Sequence, residues 1–294
     1  MKKREDVYIR DPFVVPIADE KAYYMFGTTD MNCWNDEKAT GFDYYKTYDL
    51  EYFEGPFAAF RPPQDFGWDR NFWAPEVHFY NGKYYMFASF IADGKKRGTH
   101  VLISDKVSGP YIPWSDGPVT PADWMCLDGT LFIDSSGKPW LIFCHEWVET
   151  YDGEIHAVRL SDDLRYSIGE STLLFKASDA PWAKSIRIKD GHECFVTDGP
   201  YLCKAEDGKL IMLWSSFTAS NNYAIGIAKS ITGDVLGPWS QEDMPLFADN
   251  GGHSMLFKTF SGQLMLALHA PNMRGSERPV FINIKESNGT VNLS

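Results

Sequence analysis

The chain has 294 residues, 44% hydrophobic and 23% charged, the composition of a globular protein with room for one large all-β domain or two smaller ones. A formal net charge of −12 with no basic stripe argues against a nucleic-acid partner and against a polyanionic substrate. Five cysteines with no C-x-x-C pair supply neither a disulfide framework nor a cysteine zinc site, and no run of eighteen apolar residues offers a membrane span.

The opening Met1-Lys-Lys-Arg-Glu-Asp has no apolar stretch behind its basic residues and does not read as a signal peptide; a cytoplasmic location, or a trimmed leader, is the expectation. A first strand is expected at Asp11-Pro-Phe-Val-Val, a turn at Glu20-Lys21, and an apolar strand over Ala22-Tyr-Tyr-Met-Phe. The same grammar returns at Pro75-Glu-Val-His-Phe-Tyr, Asn81-Gly and Lys83-Tyr-Tyr-Met-Phe, with a third strand over Thr99–Ser104. It returns at Asp128-Gly-Thr-Leu-Phe-Ile, Ser136-Gly-Lys and Pro139-Trp-Leu-Ile-Phe, with a third strand over Ile155–Ser161. The fourth occurrence is Asp198-Gly-Pro-Tyr-Leu, Asp207-Gly-Lys and Leu210-Ile-Met-Leu-Trp, then Tyr223–Ser230. The fifth is His253-Ser-Met-Leu-Phe, Ser261-Gly-Gln and Leu264-Met-Leu-Ala-Leu. From Lys21 to Lys83, Lys138, Lys209 and Gln263 the intervals are 62, 55, 71 and 54 residues, and a hairpin followed by a buried strand at such spacing signals radial β architecture. The phrases run on without a break, so residues 1–294 read as one domain. Residues 30–73 and 176–193 fall outside the grammar and are expected as functional loops on the face of the polar cluster.

That cluster follows from the repeat itself. Asp11, Asp128 and His253 stand ten residues before Lys21, Lys138 and Gln263, and Asp198 stands eleven before Lys209. In a propeller, matched positions on innermost strands converge on the axis. Carboxylates gathered in one cavity repel, so at least one should keep its proton while another stays ionised, the pair that glycosidic bond cleavage requires. Hairpin arithmetic about Ser136-Gly137 sets Asp128 opposite His145 and brings Glu146 to the same rim. Glu146, and separately Glu193, five residues before Asp198, are further carboxyls that could serve as the acid. Glu76 sits in a different register and suits a substrate hydrogen bond, a supporting role or a plain salt bridge. Trp73, ten before Lys83, matches the rim of its own repeat, and Trp34, Trp124 and Trp147 flank rim segments. Aromatic faces there, with Phe217 and His145, suit stacking on a sugar ring. His269 ends a second strand at the rim with no role assigned, and Arg274 and Arg278 read either as solvated loop residues or as one of them reaching a sugar hydroxyl. His78, His100, His156 and His192 show no metal-ligand spacing and read as structural. No Gly-rich phosphate loop, G-x-S-x-G elbow or H-E-x-x-H motif occurs.

Arg10-Asp11-Pro12, Trp73-Ala74-Pro75-Glu76, Leu127-Asp128-Gly129, Thr197-Asp198-Gly199-Pro200-Tyr201 and Gly252-His253-Ser254, in this order and spacing, resemble glycoside hydrolase family 43. The resemblance spans nearly the whole chain and implies a five-bladed β-propeller that cleaves arabinofuranosyl or xylosyl linkages of plant polysaccharides with inversion. It implies Asp11 as general base, Asp128 as the carboxylate that orients and tunes the acid, and Asp198 as general acid. His253 resembles the axial histidine with which many members hold a water or a calcium ion; no other cofactor is implied. The family usually carries Glu-Gly-Pro where this chain has Asp198-Gly-Pro, which leaves open a different acid. It also leaves open a propeller acting on galactosides or fructosides, or one that binds sugar without turnover. Neither a nucleic-acid nor a membrane partner is expected.

Overall fold

Each repeated phrase folds as the first hairpin of an antiparallel sheet, and five such sheets surround one axis. The computed structural model describes all residues except 32, 35, 36, 189, 190, 206 and 288. Blade 1 contains Arg10–Ile17, Ala22–Thr28, Phe42–Thr47 and Tyr52–Phe60, with Lys2–Lys3 added at its outer edge. Blade 2 contains Arg70–Tyr80, Lys83–Ala92, Lys95–Ser104 and Ile112–Pro113. Blade 3 contains Cys126–Ile133, Pro139–His145, Glu154–Leu160 and Ser167–Lys176. Blade 4 contains Asp198–Lys204, Leu210–Phe217, Tyr223–Ser230 and Trp239–Gln241, and blade 5 contains Gly252–Lys258, Leu264–Ala270, Arg278–Ser287 and Thr290–Leu293.

Second strands are apolar because neighbouring blades cover them on both sides; Ala22–Thr28 is buried at every position. Five clusters of buried side chains fill the five gaps between blades. Phe26, Phe60 and Phe90 pack blade 1 on blade 2, for example, and Trp182 and Trp214 lie in the cluster between blades 3 and 4. The ring closes between blades 5 and 1 without a shared sheet. Val7, Ile9 and Phe13 pack with Met255 and Phe257 there. The Arg10 guanidinium donates to Glu277 Oε1 at 2.8 Å, and the Glu277 side chain is fully buried.

Residues 30–73 differ from the expected loop. They supply the two outer strands of blade 1: in Phe42-Asp-Tyr-Tyr-Lys-Thr, Phe42, Tyr45 and Thr47 are buried, with irregular pairing after Phe42 that, like the Tyr and Asp content, masks a strand pattern. Residues 176–193 carry a short ribbon, Ile186–Arg187 paired with Glu193–Cys194. The five cysteines are free thiols. Among the described residues no helix is long and apolar enough to cross a membrane.

All five innermost strands break register at the same place. Pairing with the second strand skips between Arg10 and Phe13, Trp73 and Glu76, Leu127 and Thr130, Asp198 and Tyr201, and Gly252 and Met255. A bulge re-aims the side chain it carries, and this one recurs around the axis.

Candidate active site

Asp11, Asp128 and His253 occupy the first bulge position with φ of 54°, 55° and 51°, and Ala74 and Gly199 fill it in the other blades at 45° and 49°. Left-handed backbone costs a non-glycine residue roughly 1–2 kcal/mol, so three polar residues held there mark a built site. Asp198 therefore stands one residue ahead of the matched position. The reason lies in Gly199: a Cβ there would come within 2.8 Å of the His253 ring, so the place facing the axis must stay empty of side chain. Trp73 also stands one residue ahead of its bulge, where the count from Lys83 had put it in register with Asp11. Blade 2 turns in two residues, Asn81-Gly82, which shortens that count. The residue just before the bulge still faces the cavity, as Arg10, Trp73, Leu127 and Asp198 all do.

Each bulge amide is gripped by its neighbour around the ring. Thr28 Oγ1 accepts from Ala74 N at 2.8 Å, Ser89 Oγ from Asp128 N at 3.0 Å, Ser215 Oγ from His253 N at 2.9 Å, and His269 Nδ1 from Asp11 N at 3.1 Å. These acceptors lie on the second strand of the preceding blade, opposite the residue just before that blade's own bulge. Blade 3 has Cys144 at that place, and Asp128 Oδ2 accepts from Gly199 N instead, at 2.9 Å.

The carboxylates meet at one ring nitrogen. His253 Nδ1 lies 3.3 Å from Asp11 Oδ1 and 3.6 Å from Asp128 Oδ2. Thr28 Oγ1 donates to Asp11 Oδ2 at 2.7 Å, and Tyr223 OH donates to Asp198 Oδ2 at 3.0 Å. Burial alone would raise Asp11, but the His253 charge and the nearby Arg10 hold it well below the usual carboxylate range. Asp198 is pushed up to about 7, first by burial and then by the charge of Asp128, against the lowering pull of His253 and Tyr223. Burial raises Asp128 too, opposed by His253. Burial works against a charge on His253, yet Asp11, Asp128, Glu76 and Asp198 together raise its pKa. His269 is held neutral by burial and by Arg10, so it positions the Asp11 amide as an acceptor.

A cavity of about 520 Å³ opens above these groups. Trp34, Trp73, Trp147 and Phe217 supply its apolar walls, with Trp34 and Trp73 5.4 Å apart. Arg274 also lines it, whereas Arg278 turns away to the Glu5 carbonyl. Glu146 lines it as well, but it is a buried partner of Arg97, whose Nη1 donates to both its oxygens while the guanidinium lies 3.9 Å over Trp73. Both oxygens of this rival acid are thus engaged.

Three expected residues lie elsewhere. Glu193 sits exposed on the ribbon, accepting from Ser185 Oγ at 2.9 Å. His145 pairs with Cys126 rather than standing opposite Asp128, because the bulge shifts the register, and it stacks on Trp124 away from the cavity. Glu76, two residues past its bulge, is buried and not among the residues lining the cavity, with Oε2 3.1 Å from His78 Nε2.

Residues 7–287 match the family described as glycosyl hydrolases family 43. The chain belongs to this family. An endo-arabinase from Bacteroides thetaiotaomicron has the same fold, with a TM-score of 0.90, 44% identity and 98% of each chain covered. An extracellular exo-α-(1→5)-L-arabinofuranosidase of Cellvibrio japonicus is 23% identical over 69% of this chain and 63% of its own length. An α-L-arabinofuranosidase of Humicola insolens is 20% identical over 60% of this chain and 36% of its own. The chain thus spans less than two thirds of these two relatives.

In this family 43 pocket several partners escaped the sequence reading. Tyr223, Thr28, Ser89 and Ser215 were not singled out, although three of the five second strands carry a hydroxyl at a matched place, opposite the residue before the bulge. That place is six residues after Lys83 and Lys209 and seven after Lys21. The Arg97–Glu146 and Arg10–Glu277 pairs join residues 49 and 267 positions apart, which no local pattern announces.

Proposed function

We propose that the chain is an inverting glycosidase that cleaves arabinofuranosyl linkages of plant polysaccharides or their oligosaccharides. One observation carries this reading: the Asp198 and Asp11 carboxyls face one aromatic-walled cavity, where burial and Asp128 raise the pKa of Asp198 while His253 and Arg10 lower that of Asp11. Asp198 gives its proton to the glycosidic oxygen as the bond to the anomeric carbon breaks. A water on the opposite face of the ring attacks that carbon and loses its proton to Asp11. Asp128 raises the affinity of Asp198 for its proton and, through Gly199 N, holds the turn on which Asp198 sits. The flat faces of Trp34 and Trp73 suit the C–H face of a sugar. Arabinose is preferred to xylose here because the relative at 44% identity is named an endo-arabinase.

His253 is read as an internal cation. Its Nδ1 faces two carboxylates and its ring is held charged by four, which suits a fixed counter-charge. A calcium ion takes six to eight oxygens and would compete with that proton, so no step is assigned to a metal.

Hydrolysis of linear α-1,5-arabinan and of xylan, followed by proton NMR of the first product, tests the proposal. Arabinan should be cleaved and the released reducing end should first appear with inverted configuration. Retention, or binding of arabinan without turnover, overturns it.

A further inference from the structure

Blade 3 carries a second cluster that the reaction does not use. His145 and Glu154 are directly paired on the second and third strands, and His156 lies two residues along from Glu154, on the same face. One ligand atom from each lies within 4.8 Å of the other two. Glu154 Oε2 is 3.4 Å from His145 Nδ1 and 2.9 Å from His156 Nε2. Tetrahedral zinc with bonds of 2.0–2.1 Å separates neighbouring ligand atoms by roughly 3.3 Å, so these gaps are close to the edges of such a tetrahedron.

The surroundings fix the tautomer that a metal needs. His145 Nε2 faces Glu149 Oε2 at 3.2 Å, so its proton belongs there. That leaves the Nδ1 lone pair aimed at a carboxylate oxygen, and Nδ1 is buried with no hydrogen-bond partner. Two lone pairs facing at this distance repel, and a cation between them, a proton or a metal ion, relieves that repulsion. A metal-bound histidine that donates its other N–H to a carboxylate is the usual supporting arrangement. Trp124 stacks on the His145 ring at 4.3 Å and 10°, which limits its rotation. Lys176 Nζ sits 2.9 Å from Glu154 Oε1, leaving Oε2 as the oxygen that faces the imidazoles. The spacing of these residues along the chain hid the cluster because its ligands come from two adjacent strands.

We propose that His145, Glu154 and His156 bind a divalent cation of the zinc class, with water completing the coordination, and so brace residues 145–150 beside the sugar pocket. Two imidazoles and one carboxylate suit zinc and disfavour calcium. Glu146 and Trp147 of that segment line the pocket, so the ion would stiffen one of its walls.

The test is calorimetric titration of chelator-treated, dialysed protein with zinc, repeated with cobalt(II) to read the visible absorption of tetrahedral coordination. One equivalent should bind and raise Tm. Glu154→Gln and His145→Asn should each abolish the cobalt spectrum, and Glu149→Gln should weaken binding about 10- to 100-fold. His253→Gln should leave binding unchanged, and circular dichroism of each metal-free variant checks that it folds. Absence of stoichiometric binding overturns the proposal. So does binding that persists in Glu154→Gln and His145→Asn, or that is lost in His253→Gln.

Discussion

At Asp11 two influences oppose each other, and the outcome differs from that at Asp198 for a geometric reason. Asp11 shares the His253 nitrogen and lies close to Arg10, whereas the direct partner of Asp198 is a tyrosine hydroxyl. The sign of the pH dependence follows. The rate needs Asp198 protonated, so kcat/KM should fall as pH rises through about 7. It needs Asp11 ionised, so the acid limb should lie below the ordinary carboxylate range. After burial, the Asp128 charge is the largest influence raising Asp198, so Asp128→Asn should move the alkaline limb to lower pH; an unmoved limb would contradict the coupling. Stability has the same origin. Asp198 has a raised folded pKa, so its ionisation inside the fold costs stability as pH climbs from about 3.9 in the unfolded chain through about 7. Asp198→Asn should therefore gain in Tm relative to the wild type on going up through that range. Asp11 and Asp128 were legible in the sequence because bulge and turn keep a fixed separation. Asp198 was legible as a site residue although its register was off by one, because the rule that shifts it, room for His253 above Gly199, involves a contact across blades.

The bulged strand is the element that turns a repeat into a site. Its cost is local and measurable. At Gly199 an alanine would meet the His253 ring as well as the left-handed backbone, whereas at Gly137, φ 79°, a Cβ meets nothing within 4 Å. Gly137→Ala should therefore cost about 1–2 kcal/mol from backbone alone. Gly199→Ala should cost more and should also lower kcat, with the excess measuring the clash. Equal losses in urea denaturation would show that His253 moves aside freely. Elements differed in legibility for a related reason. The apolar second strands stood out because both faces are covered. The outer strands over residues 42–60 did not, because one face meets solvent and their aromatic and acidic residues resemble a binding loop.

Over the whole molecule no two blades share a hydrogen-bonded sheet, so packing and side-chain pairs join them, and the buried Arg10–Glu277 pair sits at the joint of blades 5 and 1 and at the pocket edge together. Removing one member of a buried pair typically costs about 3–5 kcal/mol, because it strands the other charge. Glu277→Ala should lose stability of that order in urea denaturation, and the double variant Arg10→Met/Glu277→Leu should recover much of it. A loss under about 1 kcal/mol would show that packing alone closes the ring. Five blades were legible from five phrases, but not the joint, whose partners lie 267 residues apart.

The convergence of acid and base from blades 4 and 1 on one pocket is tested most directly by comparing kcat/KM of Asp11→Asn and Asp198→Asn on two substrates, an arabino-oligosaccharide and 4-nitrophenyl arabinofuranoside. Nitrophenolate leaves without a proton. Asp198→Asn should thus lose about 10²- to 10⁴-fold on the oligosaccharide and far less on the aryl glycoside, while Asp11→Asn should lose that much on both. Wild-type rates in Asp11→Asn, or equal losses for Asp198→Asn on the two substrates, would contradict the assignment.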